Sequence, residues 1–164
     1  MERLWAPWRM EYVSAPKGHE ETGTCIFCDK PKQDDDASNY ILHRGDNCFV
    51  ILNSFPYNSG HLMVVPYAHV ADYSELDLAT RDELGSLTAL SIELLKSSYK
   101  PGGFNVGINQ GAPAGAGIAG HIHQHVVPRW NGDTNFMPVV ADTRVLPEAL
   151  ERCHEKLAAA FGDR

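Results

Sequence analysis

The sequence lacks the long apolar runs that membrane and exported proteins carry. No stretch of about 18 consecutive apolar residues occurs, and the opening letters, MERLWAPWRMEYV, contain no run of signal-peptide length. Basic residues are also few, with 14 Lys and Arg against 21 Asp and Glu and a formal net charge of -7. We therefore expect a cytoplasmic protein with no membrane partner and no nucleic acid polymer as partner, although a few local donors could still bind a small anion.

Cysteine is scarce, with four residues in 164. That number is too small for a disulfide scaffold, and we expect Cys48 and Cys153 to be small buried hydrophobic residues. Cys25 and Cys28 form a Cys-x-x-Cys pair, which by itself could be half of a zinc site, a thioredoxin-like redox pair or a coincidence. No strand-helix-strand pattern surrounds the pair, which weakens the redox interpretation.

The remaining pattern predicts one α+β domain spanning residues 1–164, with an aromatic arm at 1–24 and the core at 25–164. The polar, acidic stretch 29–39 is typical of a solvated loop. A helix is predicted from about Asp77 to Ser98, since its leucines follow helical spacing, and the C-terminal letters LPEALERCHEKLAAAF indicate a second helix. Strands are predicted at 40–44, 48–53, 61–66, 104–109 and 121–127.

The last of these strands carries HIHQHVV, with His121, His123 and His125 at every second position. On a strand these three imidazoles share one face. Metal ligation by all three is disfavoured, because they would spread over about 13 Å. The alternative interpretation is that the three histidines form a solvent-exposed strip that has no function.

A glycine- and alanine-rich loop, QGAPAGAGIAG, leads directly into these histidines. Such a loop is either a flexible connection or a place where backbone N–H groups approach an anion closely. Together with the histidines it indicates a phosphate cradle facing imidazole nitrogens. His123 is then the natural nucleophile toward phosphorus, with His125 bonding a phosphoryl oxygen.

HIHQHVV resembles the signature of the histidine triad (HIT) superfamily of nucleotide hydrolases and transferases. The similarity covers nearly the whole chain, and LNSFPYNSGHLMVVPYAHV and HIHQHVVPRWNGDTNF are similar to a zinc-containing bacterial branch that includes diadenosine tetraphosphate phosphorylases. The resemblance implies a HIT-like fold, with a five-stranded antiparallel sheet, a long central helix and a C-terminal helix. It also implies a homodimer that extends the sheet.

The resemblance also implies roles for individual residues. His123 would form a covalent nucleotidyl intermediate, His125 would bind phosphate, and His61 would be a fourth histidine near the triad. Asn53 would bind the ribose hydroxyls, Ile51 would line the base pocket, and Gln110 would contact the phosphates or the leaving group.

Many family members have Gln-Ser or Gln-Thr three to four residues before the first triad histidine. Here those positions of the nucleotide site are Gly117 and Ile118, so the hydroxyl that assists the leaving group is absent. This departure puts the usual phosphoramidate cleavage in doubt.

In zinc-containing relatives the cysteine pair is completed by a histidine before the long helix and by the first triad histidine. The resemblance therefore implies a zinc site formed by Cys25, Cys28, His69 and His121. With four protein ligands the zinc has no open position, so we expect a structural role. His19, His43 and His154 are expected to be surface or loop histidines.

The function expected from these features is cleavage of a dinucleoside polyphosphate such as diadenosine tetraphosphate through an adenylyl-His123 intermediate. The sequence leaves phosphorolysis and hydrolysis open, although the branch resemblance favours phosphorolysis. The alternatives are a hydrolase of nucleoside phosphoramidates or other adenylylated compounds, a nucleotide-binding sensor with little turnover, and a zinc-dependent redox protein.

Overall fold

A computed structural model of the protein describes residues 25–133 and 146–162. Five strands pair in one antiparallel sheet. They are β1 (Ile41–Arg44), β2 (Cys48–Leu52), β3 (Leu62–Pro66), β4 (Gly103–Ile108) and β5 (Gln124–Arg129). Their order across the sheet is β1-β2-β3-β5-β4, so β5 lies in the interior and β4 lies at an edge.

Among the described residues, four α-helices accompany the sheet: α1 (Ile26–Asp29), α2 (Asp36–Asn39), α3 (Leu78–Tyr99) and α4 (Leu150–Gly162). The long helix α3 begins where the sequence predicts, because the Asp77 carboxylate accepts a hydrogen bond from the Thr80 amide at 2.8 Å. It ends at Lys100, whose backbone has a φ of 49°. These elements confirm the predicted α+β class, the five strands and the two long helices.

At β2 and β3 the sheet is covered on both faces. Side chains alternate along β2, so Val50 packs toward α3 and α4, while Ile51 packs into a smaller cluster on the other face. The members of that smaller cluster are Phe27, Ile41, Phe49, Ile51, Met63 and Val65. Because both faces are apolar, every residue of β2 and β3 is buried.

The histidine strand begins later than the sequence predicts. β5 starts at Gln124, and the segment holding His121 and His123 is irregular. The amide of Ile122 donates to the Val70 carbonyl at 2.8 Å instead of joining the strand ladder. The predicted regular strand over 121–127 is therefore wrong for residues 121–123.

The stretch 29–39 is largely exposed, but it is not the loop that its composition predicts. It contains the end of α1, a 3₁₀ turn at Lys30–Lys32 and helix α2. The Asp35 carboxylate accepts from the Ser38 amide at 3.0 Å, and Arg44 pairs with Asp36 at 2.6 Å. Part of the acidic run therefore caps α2 and ties it to β1.

Two histidines expected on the surface or in loops have partners within the fold. His43 lies on β1 and stacks on Phe161 with ring centroids 5.6 Å apart, and His154 on α4 contacts the Ile41 carbonyl at 3.0 Å. Neither residue lies in a loop, and both side chains are half-buried. His19, the arm at 1–24 and residues 134–145 lie outside the described residues.

Other expectations concern burial and membrane crossing. Cys48 and Cys153 are buried, as predicted. Among the described residues, no helix has the length and apolar character that membrane crossing requires. The division of the chain into an arm and a core remains a prediction.

Candidate active site and metal centre

The pairing of β3 with β5 brings two distant histidines together. Met63 lies opposite His125 in this ladder, and His61 stands two residues before Met63 on the same face. His61 Nε2 therefore lies 3.0 Å from His125 Nδ1. His61 is fully buried, whereas His125 is half-buried.

Hydrogen bonds define which nitrogens of these two histidines carry protons. The Tyr57 amide donates to His61 Nδ1 at 3.0 Å, so that nitrogen is an acceptor. In neutral His61 the proton then resides on Nε2, which donates to His125 Nδ1. His125 in turn keeps its own proton on Nε2, where it can donate to a ligand.

The neighbouring imidazole of His123 has the opposite arrangement. Its Nδ1 lies 2.9 Å from the His121 carbonyl oxygen, which can only accept, so Nδ1 carries the proton. Nε2 of neutral His123 therefore holds a lone pair. The ring is only 4% exposed, and its centroid lies 4.9 Å from that of His125. A nitrogen with a lone pair thus lies beside a ring with an N–H donor.

Burial keeps these imidazoles neutral. Desolvation lowers the pKa of His121 and of His123 below the ordinary value of 6.5. For His125, desolvation and then repulsion from His123 when both rings are protonated lower the pKa to about 4. Nucleophilic attack by His123 at neutral pH requires this neutral state, because only the neutral ring has a lone pair on nitrogen.

The residues expected at the nucleotide's base and ribose lie near the histidines. Asn53 directly follows β2, and its Nδ2 lies 3.4 Å from His61 Nε2, while its Oδ1 accepts from the Phe55 amide at 2.8 Å. Ile51 is buried in the smaller apolar cluster, and Ile118 packs against the same cluster. An apolar surface and a carboxamide thus adjoin the histidine pair.

Gln110 and Gly117 belong to the glycine-rich loop. The Gln110 carboxamide oxygen accepts from the Tyr73 amide at 3.1 Å. The pKa of the nearby Asp72 carboxyl is lowered mainly by hydrogen bonds from Ser74, with a smaller effect from the Gln110 side chain. Within residues 25–133 and 146–162, no hydrogen bond joins Gln110 to a triad histidine. Gly117 has open space where a side chain would begin, and Gly111 and Gly115 in the same loop have φ values of 81° and 91°.

Four potential metal-binding side chains converge beside the triad. They belong to Cys25, Cys28, His69 and His121, and their ligand atoms all lie within 4.8 Å of one another. His121 Nδ1 is 3.3 Å from Cys25 Sγ, 3.5 Å from Cys28 Sγ and 3.2 Å from His69 Nδ1. Zinc bonds of about 2.3 Å to sulfur and about 2.0 Å to nitrogen put tetrahedral ligand atoms about 3.3–3.8 Å apart, so the cluster fits zinc.

His121 connects this cluster to the nucleophile candidate. Its Nε2 donates to the Pro66 carbonyl at 2.9 Å, which leaves Nδ1 as the nitrogen available to a metal. Its own backbone carbonyl accepts from His123 Nδ1. One residue therefore faces the metal cluster with its side chain and orients His123 with its backbone.

This arrangement agrees with the match of residues 35–132 to the HIT domain family. The chain belongs to the HIT family. It is 38% identical over 166 aligned residues to "AP-4-A phosphorylase" of Mycobacterium tuberculosis, an alignment that covers 98% of this chain and 85% of the relative. The family assignment predicted from HIHQHVV is confirmed.

Structural similarity to HIT proteins agrees with this assignment. A Zn-bound histidine triad family protein from Mycobacterium smegmatis has 28% identity and a TM-score of 0.67, with 86% of this chain and 95% of that chain covered. A histidine triad nucleotide-binding protein from Sulfolobus tokodaii has 25% identity and the same TM-score of 0.67, with 85% and 93% covered.

Three contributors to the site were not identified from the sequence. The Tyr57 amide and the Pro66 carbonyl set imidazole tautomers through the backbone, and no side-chain pattern reveals backbone contacts of this kind. Phe27 packs its ring against both His121 and His123, at centroid distances of 5.5 and 4.9 Å. Its place inside Cys-x-x-Cys was the available signal for its proximity to His121.

Proposed function

We propose that this protein cleaves dinucleoside polyphosphates, of which diadenosine tetraphosphate is the reference substrate, through a nucleotidyl-His123 intermediate. It is a nucleotide-processing enzyme of the HIT family. The observation that carries the proposal is the opposed tautomers of two adjacent rings, with the lone pair on His123 Nε2 and the proton on His125 Nε2. The 38% identity to a protein named AP-4-A phosphorylase supports the choice of substrate.

The first step is attack by His123 Nε2 on an α-phosphorus. An N–P bond forms, the P–O bond to the rest of the polyphosphate breaks, and the departing nucleotide takes the electron pair on its phosphate oxygen. His125 donates its Nε2 proton as a hydrogen bond to a non-bridging oxygen, where negative charge develops. With diadenosine tetraphosphate the leaving group is ATP.

In the second step an acceptor oxygen attacks the same phosphorus, and the N–P bond breaks to restore the His123 lone pair. Inorganic phosphate as acceptor gives ADP, whereas water gives AMP. The similarity to a phosphorylase favours phosphate. The missing hydroxyl at Gly117 and Ile118 argues against the phosphoramidate hydrolase alternative.

The nucleotide lies, in this proposal, along the face that bears the smaller apolar cluster. Ile118 contacts the base, Ile51 lines the base pocket from within the buried cluster, and Asn53 binds the ribose hydroxyls with its carboxamide. Gly117 leaves room for the phosphates, and Gln110 approaches them by releasing its bond to Tyr73. The proximity of Asn53 to His61 and the packing of half-buried Ile118 on the cluster support this placement.

The deciding assay incubates the protein with diadenosine tetraphosphate in the presence and absence of inorganic phosphate. We expect ADP plus ATP with phosphate and no turnover without it. AMP plus ATP in both reactions would instead establish hydrolysis. Tight nucleotide binding without turnover of any adenylylated compound would overturn the enzymatic proposal and favour a nucleotide sensor.

Substitution of the nucleophile separates enzyme and sensor further. His123→Ala should lower the rate at least about a thousandfold, which corresponds to about 4 kcal/mol of transition-state stabilisation. Nucleotide binding should persist, because the pocket residues on β2 are unchanged. A rate close to that of the unsubstituted protein would exclude the covalent mechanism.

The cysteine and histidine cluster holds, in this proposal, a structural zinc ion. The ion would neutralise the thiolates and fix the backbone around His121, while no open position remains for substrate. Support comes from the fitting distances and from the structural similarity to a Zn-bound HIT protein. Reversible oxidation of Cys25 and Cys28 without bound zinc would favour the redox alternative.

We also propose that the protein is a cytoplasmic homodimer that extends the sheet across β4. Within the described ranges the outer edge of β4 pairs with no strand, and Val106 on it is exposed. Sedimentation analysis should give twice the monomer mass, and Val106→Lys should shift the protein toward monomer. A monomeric unsubstituted protein would overturn this part of the proposal.

A further inference from the structure

Phe27, which lies between Cys25 and Cys28 in the sequence, packs its aromatic ring against the triad histidines. Phe27 is 2% exposed, and its ring centroid lies 4.9 Å from that of His123 at an interplanar angle of 47°. It also meets the His121 ring edge at 5.5 Å. A single side chain therefore contacts both the metal-facing imidazole and the imidazole with the free lone pair.

The hydrogen bond from Nδ1 alone does not hold His123 rigidly. That bond fixes the position of Nδ1, but the ring can still rotate about the line from Nδ1 to the carbonyl oxygen. The His125 ring covers one side at a near-perpendicular angle of 77°, and Phe27 contacts the ring at the tilted angle given above. Close packing of this kind restricts the direction in which the Nε2 lone pair points.

The location of Phe27 in sequence ties this packing to the metal cluster. It sits on α1, a single helical turn, and the Cys28 amide donates to the Cys25 carbonyl at 2.9 Å. Cys25 Sγ lies 3.3 Å from His121 Nδ1 and Cys28 Sγ lies 3.2 Å from His69 Nδ1, so the residues on both sides of Phe27 contact the metal cluster. Phe49 belongs to the same apolar cluster and is equally buried, but its ring stacks on Tyr67 at 5.3 Å.

We infer that Phe27 is a positioning residue for His123, holding the imidazole so that Nε2 aims at the phosphorus. This inference rests on the proposed function. It assigns Phe27 a role in the rate of nucleotidyl transfer in addition to its share of core packing. Phe49 provides the matched control, because it offers the same burial and residue type without the histidine contact.

The experiment compares Phe27→Leu with Phe49→Leu in the zinc-loaded protein, using diadenosine tetraphosphate and phosphate. For Phe27→Leu we expect kcat and kcat/KM to fall together by about tenfold, with KM changed less than about twofold. For Phe49→Leu we expect a similar loss of thermal stability but a kcat within about twofold of the unsubstituted value. If Phe27→Leu does not fold, Phe27→Met, which conserves volume without the ring, serves instead.

Two further measurements separate this role from other causes. Zinc content should be equal in all variants, and the ring ¹⁵N shifts of His123 should show a single Nδ1–H tautomer in Phe49→Leu but line broadening or tautomer mixing in Phe27→Leu. Equal kcat losses in both variants, or zinc lost only from Phe27→Leu, would overturn the inference. An inactive unsubstituted protein would instead contradict the proposed function, and the ¹⁵N comparison would still test the role of Phe27.

Discussion

His61 Nε2 donates to His125 Nδ1 across 3.0 Å, and the Tyr57 amide holds the far side of the same His61 ring. This chain of two hydrogen bonds begins at a backbone group that cannot change its protonation. It therefore fixes His125 as a donor at Nε2 in the neutral state. His61 thereby acts on the proposed reaction through His125.

Removal of the His61 donor should lower the rate without preventing folding. His61→Phe keeps a ring of similar size but leaves His125 Nδ1 without its partner, a loss of about 1.5–3 kcal/mol or about 10- to 100-fold in kcat/KM. His61→Gln should retain more activity, because its amide can still donate. Steady-state kinetics on both variants decides this, and equal rates for His61→Phe and the unsubstituted protein would contradict the assignment.

The low pKa of His125 predicts a specific dependence of stability on pH. In the fold this pKa is about 4, against 6.5 for an exposed histidine. Between these values the unfolded chain binds more protons than the native protein, so stability falls as pH decreases from 6.5 to 4. The contribution of His125 is at most about 3 kcal/mol, since the ring is partly exposed.

His125→Asn removes this titration and provides the measurement. Urea unfolding from pH 7 to pH 4 should show a shallower loss of stability in the variant than in the unsubstituted protein. Both proteins share the cysteine and histidine cluster, so acid release of a bound metal cancels in the comparison. Parallel curves would show that His125 has an ordinary pKa in the fold.

The proposed zinc site predicts that zinc content depends on the four converging side chains and not on the total number of histidines in the protein. Cys28→Ser and His69→Ala should each lower bound zinc well below one ion per chain, and the melting temperature should fall with it. His43→Ala removes a histidine outside the cluster and should retain zinc. Elemental analysis after exhaustive dialysis measures the content, and full zinc retention in Cys28→Ser would contradict the proposed ligand set.

Local patterns predicted the elements whose hydrogen bonds are local. The hairpin of β1 and β2 follows from two apolar runs around Gly45 and Asp46, and the start of α3 follows from Asp77. The late start of β5 could not be predicted, because Ile122 bonds to Val70, 52 positions earlier, in place of a strand partner. Helices as short as α1 and α2 carry too few residues to show a period.

The candidate site, like the fold, was predictable from the sequence only in part. Residue type and spacing drew attention to the triad and to the cysteine pair, whereas the full zinc ligand set was implied by family resemblance. The contact between His61 and His125 requires the register that places Met63 opposite His125, and a sequence alone does not state register. The tautomers depend on carbonyl and amide groups of Tyr57, Pro66 and His121, which carry no residue-specific signal.

A pair of glycine substitutions tests the turn that delivers His61 to β3. Gly60 has a φ of 78°, and an added Cβ would lie 2.9 Å from Leu95 Cδ2 in the core, so Gly60→Ala should destabilise the protein by about 1–3 kcal/mol. Gly85 lies within α3 with no atom within 4 Å of an added Cβ, so Gly85→Ala should stabilise by about 0.5–1 kcal/mol. Chemical unfolding of the three proteins measures both effects. Changes of the same sign would contradict the assigned backbone conformations, because the strained turn and the helix interior respond oppositely to a methyl group.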